Sequence, residues 1–219
     1  MRAAPLVLFA SSVGAFAYIA ANVASGAARP IDEMLRRRIR RLRSPALDAV
    51  SAVAVVATAP GILIACSLAV AFRFRRDGIH IWLPIAASPL LAMTAGRCFT
   101  EILPQQLAPT AKEGEREPSF PSGHTTGAAA EMFAMAAVLR GAGIVSRPVA
   151  VAIALVPFGG GMNRLYHDRH WTTDIAAGLC AGTAIAVLLT TASRMLRPRK
   201  NAGTTSAPSA APASSDPRR

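Results

Sequence analysis

The chain alternates between long stretches without a charged side chain and short segments crowded with them. No Asp, Glu, Lys or Arg occurs in the 26 residues between Arg2 and Arg29, the 24 between Asp48 and Arg73, or the 19 between Asp77 and Arg97. The 22 residues between Glu117 and Arg140 contain one, Glu131. Charge-free runs of 16 residues between Arg147 and Arg164 and 19 between Asp174 and Arg194 follow. A helix rising 1.5 Å per residue needs about 20 residues to cross a hydrocarbon core of roughly 30 Å. The fifth run is short, but its helix can extend through Arg164 if that side chain faces a protein site. The pattern therefore predicts an all-α protein, a bundle of six transmembrane helices. For the first run a cleaved signal peptide is the alternative, with Ala24-Ser25-Gly26-Ala27 as the small-residue site, although the run exceeds the usual apolar core of such peptides.

Two segments fall outside this pattern. In 31–43, Ile31, Met34, Leu35, Ile39 and Leu42 recur at helical spacing, and Arg36, Arg37, Arg38, Arg40, Arg41 and Arg43 fill the remaining surface. This reads as a cationic amphipathic helix in the membrane interface, near anionic headgroups, with a solvated charged loop as the alternative. Residues 199–219 turn to Ala, Pro, Ser and Thr and read as a disordered tail, which leaves 1–198 as one membrane domain.

Composition agrees. Of the residues 52% are hydrophobic and 16% charged, with a mean hydropathy of +0.36, against about 25% charge in soluble domains. The net charge of +12 raises the question of nucleic acid, but with 5% aromatics and long apolar runs a membrane accounts for it better. Three cysteines, Cys66, Cys98 and Cys180, have no paired spacing, so neither a disulfide framework nor a zinc site is expected.

Candidate chemistry gathers at the ends of the last three runs. Pro121-Ser122-Gly123-His124 precedes the fourth, and Asn163-Arg164, His170 and Asp174 lie between the fifth and the sixth. Consecutive antiparallel helices bring these groups to one membrane face. Separately they have plainer readings, a helix start and a surface pair. Together they form a phosphate site. Backbone amides of Ser122, Gly123 and His124 at a helix N-terminus attract an anion, and Arg164 forks onto phosphate oxygens. His170 and Asp174, at i and i+4, face each other, so the carboxylate can fix the imidazole tautomer for attack on phosphorus. His124 on another helix can protonate the leaving oxygen.

Pro121-Ser122-Gly123-His124 and Asn163-Arg164-x5-His170-x3-Asp174 resemble two motifs of the type-2 phosphatidic acid phosphatase/vanadium haloperoxidase superfamily. Arg43-Ser44-Pro45-Ala46-Leu47-Asp48 resembles its membrane branch, and the similarity spans roughly Ile31 to Leu196. The resemblance implies His170 as nucleophile forming a phosphohistidine, His124 as general acid and Asp174 as the group orienting His170. It implies Arg164, Ser122 and Gly123 as phosphate ligands, with no metal and no cofactor. His167, with Trp171 four residues on, reads as interfacial or secondary, and His80 as interfacial.

The family's first motif, Lys-x6-Arg-Pro, is degenerate here. No lysine precedes Lys112, and counting on from Arg97 gives Pro104 and Gln105. Arg97 is the best candidate for the lysine's role, with Lys112 and Arg116 as substitutes. Asn163 stands where the family has Ser. Glu131, seven residues beyond His124 on the same helix face, is either a carboxyl hydrogen-bonded to a neighbouring helix or part of the site.

The resemblance implies an integral membrane lipid phosphatase whose substrate is a polyprenyl, glycerolipid or lipid A phosphate, with membrane lipids around it and no nucleic acid. A lipid phosphotransferase of the same fold and a non-catalytic protein with a decayed site are the alternatives. With the N-terminus inside, the 24 basic residues divide equally between the two sides. The family's arrangement places the site on the outer face of a bacterial inner (plasma) membrane.

Overall fold

The computed structural model describes residues 3–103, 106–111 and 118–196. Pro104, Gln105, Lys112, Arg116 and the tail 199–219 lie outside them. Eight helices are present: α1 (Ala3–Ala24), α2 (Arg29–Arg41), α3 (Pro45–Ala57), α4 (Pro60–Arg73), α5 (Ile79–Ile102), α6 (Gly123–Gly141), α7 (Arg147–Tyr166) and α8 (Thr172–Met195). No strand occurs among the described residues; Leu107 and Pro118 form an isolated bridge.

Four of these helices, α1, α5, α7 and α8, are long and apolar enough to cross a membrane, and α3 with α4 makes a fifth if the pair is one span. Six crossings are therefore not reached by length and composition. The second charge-free run is not one straight helix; it bends by 50° between α3 and α4. The cause is Pro60. Ala59 before it is driven to an extended conformation, φ −61° and ψ 134°, and Pro60 has no amide to continue the ladder.

The fourth run, α6, has 19 residues but carries His124, two threonines and Glu131. Its polarity follows from its place. α6 packs against α4, α5, α7 and α8, so most of its surface meets protein instead of lipid. Ala129, Ala130 and Ala134 are fully buried. The α6–α8 contact is made by small residues, which allow close backbone approach in a membrane bundle. A Cβ added to Gly182 would lie 2.4 Å from Ala129 Cβ, and one on Gly178 would lie 3.0 Å from the Ser122 carbonyl oxygen. This close packing sets the starts of α6 and α8 side by side.

α2 forms over nearly the predicted span, but its inner face differs from the expected apolar stripe. Ile31, Met34 and Leu42 are exposed, whereas Asp32 is buried. Asp32 accepts hydrogen bonds from the Thr173 amide at 3.0 Å and the Thr173 hydroxyl at 2.6 Å, and so caps the start of α8. Burial pushes the Asp32 carboxyl above its usual range, and the Thr173 hydrogen bonds act against that rise. One turn on, Arg36 Nε donates to Asp168 at 2.8 Å, and Arg43 reaches the same carboxylate at 3.2 Å. α2 thereby grips both sides of the loop between α7 and α8.

Candidate active site

The site is assembled where α6, α7 and α8 begin or end. α8 starts at Thr172, and Asp174 in its first turn is wholly buried. Asp174 Oδ2 lies 3.2 Å from His170 Nδ1 and accepts the Trp171 amide at 2.9 Å. Its Oδ1 accepts Gln106 Nε2 at 3.0 Å. The carboxylate thus has its own fixed partners, and it holds the His170 ring in one orientation with Nε2 left for other chemistry. The His170 side chain is 14% exposed, so it is covered yet reachable.

Ser122 is the N-cap of α6, buried, with its hydroxyl oxygen accepting the Thr125 amide at 3.3 Å and the Thr125 hydroxyl at 3.1 Å. Its own amide donates to the Asp174 carbonyl at 3.1 Å. This narrows the expected cradle of three amides. The Ser122 amide is spent on α8, and only those of Gly123 and His124, which have no intrahelical acceptor, remain for an anion. The Ser122–Asp174 bond also ties the two motifs directly.

His124 and Arg164 line one narrow crevice with Thr58 and Gly160, and both Arg164 and His170 lie within electrostatic reach of His124. His124, Arg164, His170 and Asp174 therefore stand at one end of the bundle. Arg97 is exposed, and it shares with His124 and Gly123 a separate cavity of about 320 Å³. Glu131 lines the same cavity and accepts a hydrogen bond from Ser67 of α4 at 3.0 Å, which matches a carboxyl hydrogen-bonded to a neighbouring helix.

Other residues serve the frame. Asn163 Nδ2 donates to the Ser51 carbonyl at 2.8 Å and to its hydroxyl at 2.6 Å, which joins α7 to α3. His167 Nε2 sits 2.7 Å from the same Ser51 hydroxyl, in keeping with a secondary place. Tyr166 donates to Asp48 at 2.5 Å. Sequence reasoning missed Gln106, which carries no motif, and Asp32, Arg36 and Asp168. The signal available for Asp168 was an acid between Arg164 and His170 facing an arginine-rich segment. Among the described residues, no group of three His, Cys, Asp or Glu side chains is arranged to hold a metal ion.

A family model described as PAP2 superfamily matches residues 89–198, half of the chain. Among solved structures, the chain is similar to the crystal structure of a transmembrane PAP2-type phosphatidylglycerolphosphate phosphatase from Bacillus subtilis. The identity is 24% and the TM-score 0.65, over 88% of this chain and 97% of that one. The comparison with curated proteins found no match.

Proposed function

The chain belongs to the PAP2 superfamily and is a membrane phosphoric ester hydrolase, and from that premise we propose that it removes phosphate from a lipid phosphomonoester or pyrophosphate through a phosphohistidine, without metal. The observation that carries this reading is the Asp174–His170 pair beside the crevice shared by His124 and Arg164. His170 Nε2 attacks phosphorus while Asp174 steadies the positive charge that grows on the ring. The phosphorus–oxygen bond to the lipid breaks, and His124 gives its proton to the leaving oxygen. Arg164 and the amides of Gly123 and His124 neutralise the non-bridging oxygens. Water, deprotonated by His124, then attacks the phosphohistidine and releases inorganic phosphate. Arg97 supplies a further cation at the mouth, in the place of the family's lysine. The fold resembles that of the B. subtilis phosphatidylglycerolphosphate phosphatase, which favours a phospholipid among the possible substrates.

In this reading the bundle crosses a bacterial inner membrane six times, with α3–α4 as one bent crossing and α6 as the crossing enclosed by the others. The site opens at the outer face, where a lipid can present its phosphate while its tails stay in the bilayer. α2 lies in that interface with Ile31, Met34 and Leu42 toward lipid. The test is phosphate release by the purified protein in detergent from a panel of lipid phosphates, with and without chelator. Release that survives chelation is expected. Absence of release from every member would leave the decayed-site reading, and transfer of phosphate to an added lipid or sugar acceptor would make the protein a phosphotransferase.

A further inference from the structure

A glutamine in a loop ordinarily faces water, but Gln106, in the segment between α5 and α6, turns inward. Its carbonyl accepts the amide of the buried Ser119 at 2.7 Å and the Ser119 hydroxyl at 3.0 Å, which fixes its backbone beside the approach to α6. The next carbonyl, of Leu107, accepts the Trp171 indole at 2.7 Å, and the Thr110 hydroxyl donates to the Asp168 carbonyl at 2.9 Å. The segment is thereby strapped to the turn that carries His170. From this position Gln106 Nε2 donates to Asp174 Oδ1 at 3.0 Å. A carboxylate only accepts, so the amide nitrogen is the end that must face it.

Asp174 has no exposure to solvent, and each of its oxygens has its own donor. Oδ2 takes the Trp171 amide at 2.9 Å and stands 3.2 Å from His170 Nδ1, whereas Oδ1 has Gln106. The neighbouring hydroxyl of Thr173 is spent on Asp32 at 2.6 Å. Without the Gln106 amide, Oδ1 is a buried acceptor short of its donor, and the carboxylate can turn about its Cβ–Cγ bond away from the imidazole. We propose, resting on the phosphatase reading above, that Gln106 is a positioning residue, which locks the Asp174 carboxylate and through it holds the His170 ring for attack on phosphorus. Its contribution is to the rate of attack and not to substrate affinity, because it reaches the nucleophile only through Asp174. Gln106 also lines a cavity with Arg29, Arg36 and Trp171, so direct contact with a bound lipid is the competing role, and that role would act on KM.

The test is kcat and KM for dioctanoyl phosphatidate and farnesyl pyrophosphate in detergent micelles, using the wild type, Gln106→Leu and Gln106→Glu. Gln106→Leu removes the donor at similar volume. It should lower kcat about 10- to 100-fold, the size of one hydrogen bond to a charged group, and change KM by less than about two-fold. Gln106→Glu sets a second carboxyl against Asp174. While the pair holds a proton, the introduced carboxyl can donate as the amide does; once that proton leaves, the two repel. The kcat of this variant relative to wild type at the same pH should therefore fall about ten-fold from about pH 5.5 to about pH 8. His170, His124, Asp32, Arg29 and Arg36 are the other titratable and charged groups around this contact, and being common to both proteins they largely cancel in the ratio. Read per folded protein, the ratio reports the contact even if the leucine variant folds poorly. A leucine variant with wild-type kcat, a loss confined to KM, or a glutamate variant whose ratio does not vary with pH overturns the proposal while leaving the phosphatase reading intact. A wild type that releases phosphate from neither lipid overturns the phosphatase reading itself.

Discussion

The Ser122 amide donates to the backbone carbonyl of Asp174 at 3.1 Å, across the boundary between two helices that the chain separates by about fifty residues. Through this bond the residue that caps α6 and the residue that holds His170 have one fixed relation. The nucleophile and acid assigned above inherit their spacing from it.

The two histidines should be separable by their leaving groups. His170→Ala should be inactive on both a lipid phosphate and p-nitrophenyl phosphate. His124→Ala should lose about 10²–10⁴-fold on the lipid, where the leaving oxygen is basic, and much less on the activated ester. The check is kcat for each variant on both substrates; equal losses throughout would remove the basis for the roles.

Vanadate should inhibit and EDTA should not. Vanadate adopts the five-coordinate geometry of a histidine attacking phosphate, and the reaction needs no metal in this account. Inhibition curves for both agents decide it. Activity lost on chelation and restored by a divalent ion would count against the account.

Arg97 should carry phosphate recognition. Arg97→Ala removes a charge-assisted hydrogen bond of about 1.5–3 kcal/mol, which corresponds to one to two decades in kcat/KM. Arg97→Lys should retain more. Kinetics in the alanine variant identical to wild type would move the cation's role to Lys112 or Arg116.

Asp168 should be a stability residue. It is buried, takes Arg36 from α2 and Arg43 from the segment just after it, and adopts φ 55°, a left-handed conformation that Asn tolerates better than Ala. Asp168→Ala should cost about 1–3 kcal/mol; the arginines are partly exposed, which keeps the loss below that of a fully buried pair. Asp168→Asn should cost less. Thermal unfolding in detergent checks both, and equal midpoints for the alanine variant and the wild type would show that α2 is held otherwise.

The helical class and the meeting of His124, Arg164, His170 and Asp174 were legible because both follow from local spacing. Charge-free runs mark helices, but His170 lies two residues before α8 begins. Its contact with Asp174 therefore comes from the turn that enters the helix, where Asp174 also accepts the Trp171 amide, and not from i, i+4 spacing on one helix as expected. The break at Pro60 was written as Ala59-Pro60 but hidden within an unbroken apolar run. α6 falls short as a lipid-crossing helix by composition because its neighbours are protein, and hydropathy registers the residue without its surroundings. The clamp of α2 was not legible, since Arg36 and Asp168 are 132 residues apart and an arginine-rich helix is equally suited to lipid headgroups. Likewise the Pro-Ser-Gly stretch reads as a helix start or a phosphate ligand in sequence, while the bond from the Ser122 amide to the Asp174 carbonyl emerges only from the packing against α8.

The central claim, that phosphate passes through His170, is tested most directly by rapid quenching of the purified protein with a ³²P-labelled lipid phosphate. The account predicts label on the protein that is stable to alkali and lost in acid, located by peptide mapping at His170 and absent from His170→Ala. Full hydrolytic turnover with no labelled protein at any quench time, or label on another residue, would contradict it.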